Sequence, residues 1–184
     1  MKLFLASRSP RRQELLQQIG IEFELVDVDV DERWDRKEIP KDYVRRIALE
    51  KARAGKNRID SNGRVLAADT AVVLDNSILG KAATGDDATE MLKKLSGRTH
   101  DVLSAVAVID TSEQCLTSRS RVSFKPLSED EIREYCKTGE PVGKAGGYAI
   151  QGRAGCFVSH LDGSYSGVMG LPLYETASLL GRSG

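Results

Sequence analysis

Ser7-x-Ser9-Pro10-Arg11-Arg12 sets two hydroxyls and two guanidiniums around the start of a predicted helix. A strand that ends in a turn and feeds a helix there points unpaired amide N–H groups at one spot, which suits an anion. Arginines in a first helical turn oppose the helix dipole, and the conflict vanishes if a phosphate sits between them and the helix end. The planar guanidinium can also give phosphate two parallel hydrogen bonds. Taken alone, the same residues read equally well as a solvated helix start. Asp69, with Thr70, interrupts the apolar run of residues 64–74. A carboxylate there is costly to bury unless it meets a cation, a donor or a proton in transit. Locally, it reads rather more readily as a structural aspartate bonded to backbone amides.

Three further charges are less specific. Lys51 lies one turn after Ile47 on an otherwise apolar helix face, where snorkelling of its stem over the core is the simpler reading. Glu32 and Lys81 flank a strand end and a turn, where solvated charges are ordinary. The segment Lys144-Ala145-Gly146-Gly147-Tyr148-Ala149-Ile150-Gln151-Gly152 combines small residues, which let backbone approach a ligand, with Gln151, whose amide can both donate to and accept from a base edge. A surface loop is the alternative. Asp27-x-Asp29-x-Asp31 fails as a calcium loop because Glu32 stands where glycine is required. Residues 139–145 fail as a phosphate-binding loop, one residue short and with Ala145 in place of the hydroxyl.

Composition narrows the partners. The 184 residues carry 27 basic and 27 acidic side chains, a net charge of zero, which disfavours non-specific nucleic-acid binding. Cys115, Cys136 and Cys156 are odd in number and form no paired motif, so they read as free thiols of a reducing compartment. With only two histidines, a histidine-rich metal site is excluded. The N-terminal stretch is too short for a signal-peptide core, and no apolar run suits a membrane span. A cytoplasmic protein with no membrane or nucleic-acid partner is the expectation.

The elements that must hold these residues follow from periodicity and caps. Residues 3–6 are a strand and residues 11–19 a helix, with Ser9 as N-cap, Pro10 at the first helical position and Gly20 as the stop. Residues 21–30 alternate as a strand, and residues 41–55 form a helix whose apolar stripe is Val44, Ile47, Ala48 and Ala52. Strands follow at 64–74, 102–109, 115–124 and 156–160, helices at 86–95, 128–137 and 171–180, and a glycine-rich loop at 139–155. Alternating strands and helices in the first half argue an α/β fold.

Taken in order, Leu5-Ala6-Ser7-x-Ser9-Pro10-Arg11-Arg12-x-Glu14-Leu15-Leu16, Glu50-Lys51-Ala52, Ala68-Asp69-Thr70, Leu79-Gly80-Lys81, Lys94-Leu95-Ser96-Gly97, the segment 144–152 and Gly170-Leu171-Pro172-Leu173 resemble the Maf family of nucleoside triphosphate pyrophosphatases over nearly the whole chain. The resemblance implies one domain over residues 1–184, with a mixed, twisted central sheet flanked by helices and two lobes around a cleft. It implies hydrolysis between the α- and β-phosphates with magnesium or manganese, usually by a homodimer. Asp69 becomes the general base, Ser7, Arg11, Arg12, Lys51 and Lys81 hold the triphosphate, and Glu32 helps Asp69 bind the metal. Arg11, Thr70 and Gln151 match the subclass acting on dTTP and UTP, whereas the 7-methyl-GTP subclass has tryptophan at the first arginine. Ala82 departs from the pattern, standing where a proline is common, and is expected to loosen that turn. A nucleotide-binding regulator of cell division with little turnover is the alternative, and a DNA-binding protein is disfavoured by the charge balance.

Overall fold

The computed structural model describes residues 1–59 and 62–181. Within these residues seven strands form one mixed sheet: β1 (Leu3–Leu5), β2 (Glu24–Leu25), β3 (Arg64–Leu74), β4 (Ser77–Leu79), β5 (Thr99–Ile109), β6 (Glu113–Phe124) and β7 (Val158–Asp162). Their order is β2-β1-β3-β5-β6-β7, with β4 also on β3; β1 runs parallel to β2 and β3, and the other pairs are antiparallel. Among the described residues six helices flank it: α1 (Pro10–Gln18), α2 (Pro40–Lys56), α3 (Gly85–Leu95), α4 (Glu129–Lys137), α5 (Tyr165–Met169) and α6 (Leu173–Leu179). The mixed α/β architecture is the expected one.

Helix α2 packs on one face of β3 and β5, where Val44, Ile47, Ala48 and Ala52 meet Ala67, Ala71, Ala105 and Ala107. The opposite face carries two separate apolar clusters. Leu66, Ala68, Val106 and Val108 pack with Leu15 and Leu16 of α1. Val72, Leu74, Val102 and Val122 pack with Leu92, Leu95, Ile132 and Tyr148. Burying each large side chain contributes roughly 1.5–3 kcal/mol. The seam between these clusters falls at Thr70 and Ser104, which pair directly across β3 and β5. Polar residues at that register interrupt both apolar rows.

Several expected boundaries move, each for a local reason. The strand expected over residues 21–30 pairs only at Glu24–Leu25, because β1 ends at Leu5 and offers nothing beyond it. Val26 is buried nevertheless, so the alternation reflects burial beyond the point where the ladder stops. Ser9 occupies the N-cap position of α1, but its side chain makes no cap. Helix α3 starts at Gly85 under a reciprocal Thr84–Asp87 capping box, and Ser128 and Glu131 form the same box at α4. The strand expected over residues 156–160 begins at Val158, after a 3-10 turn at Arg153–Phe157. The helix expected over residues 171–180 starts at Leu173, with Pro172 as its cap position. The short elements β4 and α5 were not anticipated.

Candidate active site

Strand β1 covers Arg64–Leu66 of one edge of β3, and β4 covers Val72–Leu74 of the same edge. Between them that edge has no strand partner among the described residues, and a cleft of about 750 Å3 opens there. Ligands of open α/β sheets bind in crevices of this kind, beyond the carboxyl end of a strand. Ser7, Arg11, Arg12, Glu32, Lys51, Asp69, Thr70, Lys81 and Gln151 all line it.

At the cleft's floor, Asp69 points from β3 toward α2, where the Lys51 ammonium donates to Asp69 Oδ1 at 2.8 Å. The same ammonium contacts Glu32 Oε1 at 2.7 Å, and Lys81 Nζ donates to Glu32 Oε2 at 2.7 Å. Lys51 therefore does not snorkel. Its side chain and that of Asp69 are 9% and 6% exposed against 58% for Lys81, so the inner pair is the tightly held one and the outer is screened by water. Burial alone would raise the Glu32 carboxyl, but hydrogen bonds from Lys51 and Lys81 outweigh it and hold it at about 2.

The first turn of α1 forms the facing wall. Arg12 donates through Nε to the Gly170 carbonyl at 2.8 Å and through Nη1 to Ser7 Oγ at 3.2 Å, while the Ser9 amide also donates to Ser7 Oγ. Burial pushes the Arg12 guanidinium below its ordinary value, against the pull of Asp69 and Glu32. Burial likewise lowers Arg11, and it lowers Lys144, where the nearby charge of Arg11 adds to the effect. Cations brought together against their own repulsion make a strong anion subsite.

The segment 80–82 is docked on the glycine-rich loop. The Ala82 amide donates to the Lys144 carbonyl at 3.1 Å, the Gly143 amide to the Ala82 carbonyl at 2.8 Å, and the Gly146 amide to the Gly80 carbonyl at 3.0 Å. A proline at position 82 would forfeit the first of these bonds, so Ala82 ties the turn down instead of loosening it. Gly146 sits at φ +67 with Val72 so near that a Cβ would lie 2.9 Å from its methyls.

Both Asp69 and Glu32 are oxygen donors held on one ammonium. Among the described residues no group of three or more His, Cys, Asp and Glu side chains could hold a metal ion. Two carboxylates suit a hard divalent cation that completes its shell with phosphate oxygens and water, so the residues present fit such an ion.

Residues 2–183 match the profile of the family described as Maf-like protein. The chain belongs to the Maf family. It is 53% identical to the dTTP/UTP pyrophosphatase of Burkholderia lata over 191 residues, covering 97% of this chain and 91% of that one. The dTTP/UTP pyrophosphatase of Alkalilimnicola ehrlichii is also 53% identical, over 183 residues with the same coverages. Among solved structures, the Staphylococcus aureus Ham1 protein superposes with a TM-score of 0.50 at 14% identity, covering 67% of this chain and 72% of that one, a likeness of fold alone.

In this Maf-family chain the candidate residues are not equally placed. Gln151 is an exposed cleft residue within the turn closed by the Gly152 amide on the Ala149 carbonyl. Ser104 and His100 escaped notice in the sequence. Ser104 signals itself as the hydroxyl in an apolar strand. His100 is buried with Nε2 2.8 Å from the hydroxyl of Tyr148, itself a cleft residue. Among the described residues, His100 Nδ1 has no hydrogen-bond partner.

Burial, opposed by Asp101, pushes His100 down from 6.5 to about 4. Between those values the unfolded chain takes up a proton that the folded one refuses, so stability is fully present above 6.5 and lost as the pH falls through the window. Glu32 repeats the pattern between 4.5 and about 2. Urea midpoints should hold at neutral pH, decline below 6.5 and decline further below 4.5. His100→Gln should remove only the first decline. Its persistence in that variant would assign the window to another group.

Proposed function

We propose that this protein hydrolyses nucleoside triphosphates, dTTP and UTP by preference, to the monophosphate and pyrophosphate. The observation that carries the reading is the Lys51 ammonium joining Asp69 and Glu32 on the floor of a cleft whose facing wall carries Arg11 and Arg12. The names of relatives 53% identical over nearly their full length support the substrate class.

Ser7, Arg11, Arg12, Lys51 and Lys81 hold the triphosphate. Asp69 orients a water and takes its proton as the oxygen attacks the α-phosphorus. The bond from that phosphorus to the bridging oxygen breaks, and pyrophosphate leaves with the electron pair, its charge balanced by the arginines and lysines. Glu32 and Asp69 hold the divalent cation, magnesium or manganese, which supplies charge neutralisation on the phosphate oxygens when bound. Arg11, Thr70 and Gln151 select the base.

The reading takes residues 1–184 as one catalytic domain. Three free thiols, Cys115, Cys136 and Cys156, support a reducing, cytoplasmic setting. Among the described residues no helix is long and apolar enough to cross a membrane. The homodimer rests on the resemblance of sequence alone.

The test is to incubate the pure protein with each common nucleoside triphosphate and magnesium or manganese, assaying pyrophosphate separately from phosphate. Fastest pyrophosphate release from dTTP and UTP is expected. No pyrophosphate from any substrate, with the protein folded, would overturn the enzyme reading in favour of a nucleotide-binding regulator.

A further inference from the structure

Thr70 Oγ1 and Ser104 Oγ lie 2.7 Å apart, and Ser104 Oγ donates to the Gly167 carbonyl at 2.6 Å. A serine hydroxyl has one proton. Because a carbonyl can only accept, Ser104 spends that proton on Gly167 and must accept from Thr70. Thr70 thereby spends its own proton, and its oxygen meets the cleft with lone pairs alone.

Such an oxygen cannot pair with phosphate, whose oxygens are acceptors too. It needs a donor from the ligand. Its surroundings are also unlike the floor: Asp69 and Lys51 lie on the α2 side of β3, whereas Thr70 lies on the other side among the cleft residues Val72, Val102, Val168 and Met169. An apolar wall with one fixed acceptor suits the flat face and one polar edge of a nucleobase.

We propose that Ser104 is a positioning residue for base selection, holding Thr70 Oγ1 as an obligate acceptor for the imide N3–H of uracil or thymine. Cytosine carries a lone pair at N3, so it meets acceptor with acceptor, and a buried mismatch of this kind is costly. Ser104 does not touch the base; it acts through Thr70. The proposal rests on the pyrophosphatase reading and deepens it.

The experiment measures kcat/KM for UTP and for CTP, by pyrophosphate release, in wild type, Ser104→Ala, Thr70→Val and the double variant. Ser104→Ala frees the Thr70 proton, so the hydroxyl can donate to N3 of cytosine. The UTP-to-CTP ratio should fall at least ~10-fold. Thr70→Val removes the acceptor and should lower the ratio by itself, which keeps the test open if Ser104→Ala does not fold. Adding Ser104→Ala to Thr70→Val should change the ratio no further, whereas a merely structural serine would lower both substrates alike in either background. Pyrophosphate from UTP with an unchanged ratio in the single variants overturns the proposal and leaves the enzyme reading standing. Pyrophosphate from neither substrate in folded wild-type protein overturns both.

Discussion

Asp69→Asn should keep the fold and lower pyrophosphate release from UTP at least ~100-fold. The amide retains an oxygen where Lys51 Nζ now donates to Asp69 Oδ1, and Lys51 keeps its second carboxylate partner, Glu32. No buried cation is left alone, so circular dichroism should be unchanged and the melting temperature close to wild type. What the amide cannot do is take a proton from water. Because that loss is felt in the transition state, it should appear in kcat more than in KM. Turnover near wild type would remove Asp69 from the base role and direct attention to Glu32, the other carboxylate on the same ammonium.

The parts of this fold that were legible in the sequence are those whose signals are local. Helix α1 announced itself through Pro10 and the stripe at Leu15 and Leu16, and α4 through Ser128. The long strands β3, β5 and β6 were visible as apolar runs. Strand β2 was overread because its alternation reports burial, whereas its ladder depends on the length of β1, which lies elsewhere in the chain. Strand β4 was missed although Asp75 and Asn76 both adopt positive φ, a conformation these two residue types tolerate and tight hairpin turns require. Helix α5 has too few residues to show a period.

Within the site, the types of residue were readable but their meetings were not. Lys51 on an apolar helix face is compatible with a solvated head or a buried pair, and only the distance to Asp69 decides. Glu32 lies in irregular chain after β2, where no periodicity aims a side chain. Ser104 shows why a polar residue in an apolar strand should be read together with its cross-strand neighbour. Once Thr70 and Ser104 are in register, two unremarkable hydroxyls become a directed relay. Ala82 is the converse case, where departure from a familiar pattern suggested a weakness that its own amide hydrogen bond removes.

Lys51→Met should lower turnover sharply and also weaken the fold, the second effect separating it from Asp69→Asn. Methionine keeps the length of the buried stem but leaves Asp69 and Glu32 on the site without the ammonium between them. Removing one partner of a buried ion pair costs about 3 kcal/mol or more, which for a chain of this size lowers the melting temperature by roughly 6–12 °C. Loss of one phosphate-binding cation should lower turnover by ~100-fold or more. The informative measurement is the melting temperature with and without manganese. In wild type the two carboxylates are already neutralised, so a free divalent ion gains little there and arrives more favourably with a triphosphate, whose oxygens can take over the lysines. In Lys51→Met, Asp69 loses its ammonium and Glu32 keeps only the exposed Lys81, so manganese should raise the melting temperature by more than it does in wild type. An equal rise in both proteins would mean that Glu32 and Asp69 are not where the ion binds. An unshifted melting temperature in the metal-free variant would show that the ammonium contributes to catalysis without holding the floor of the cleft together.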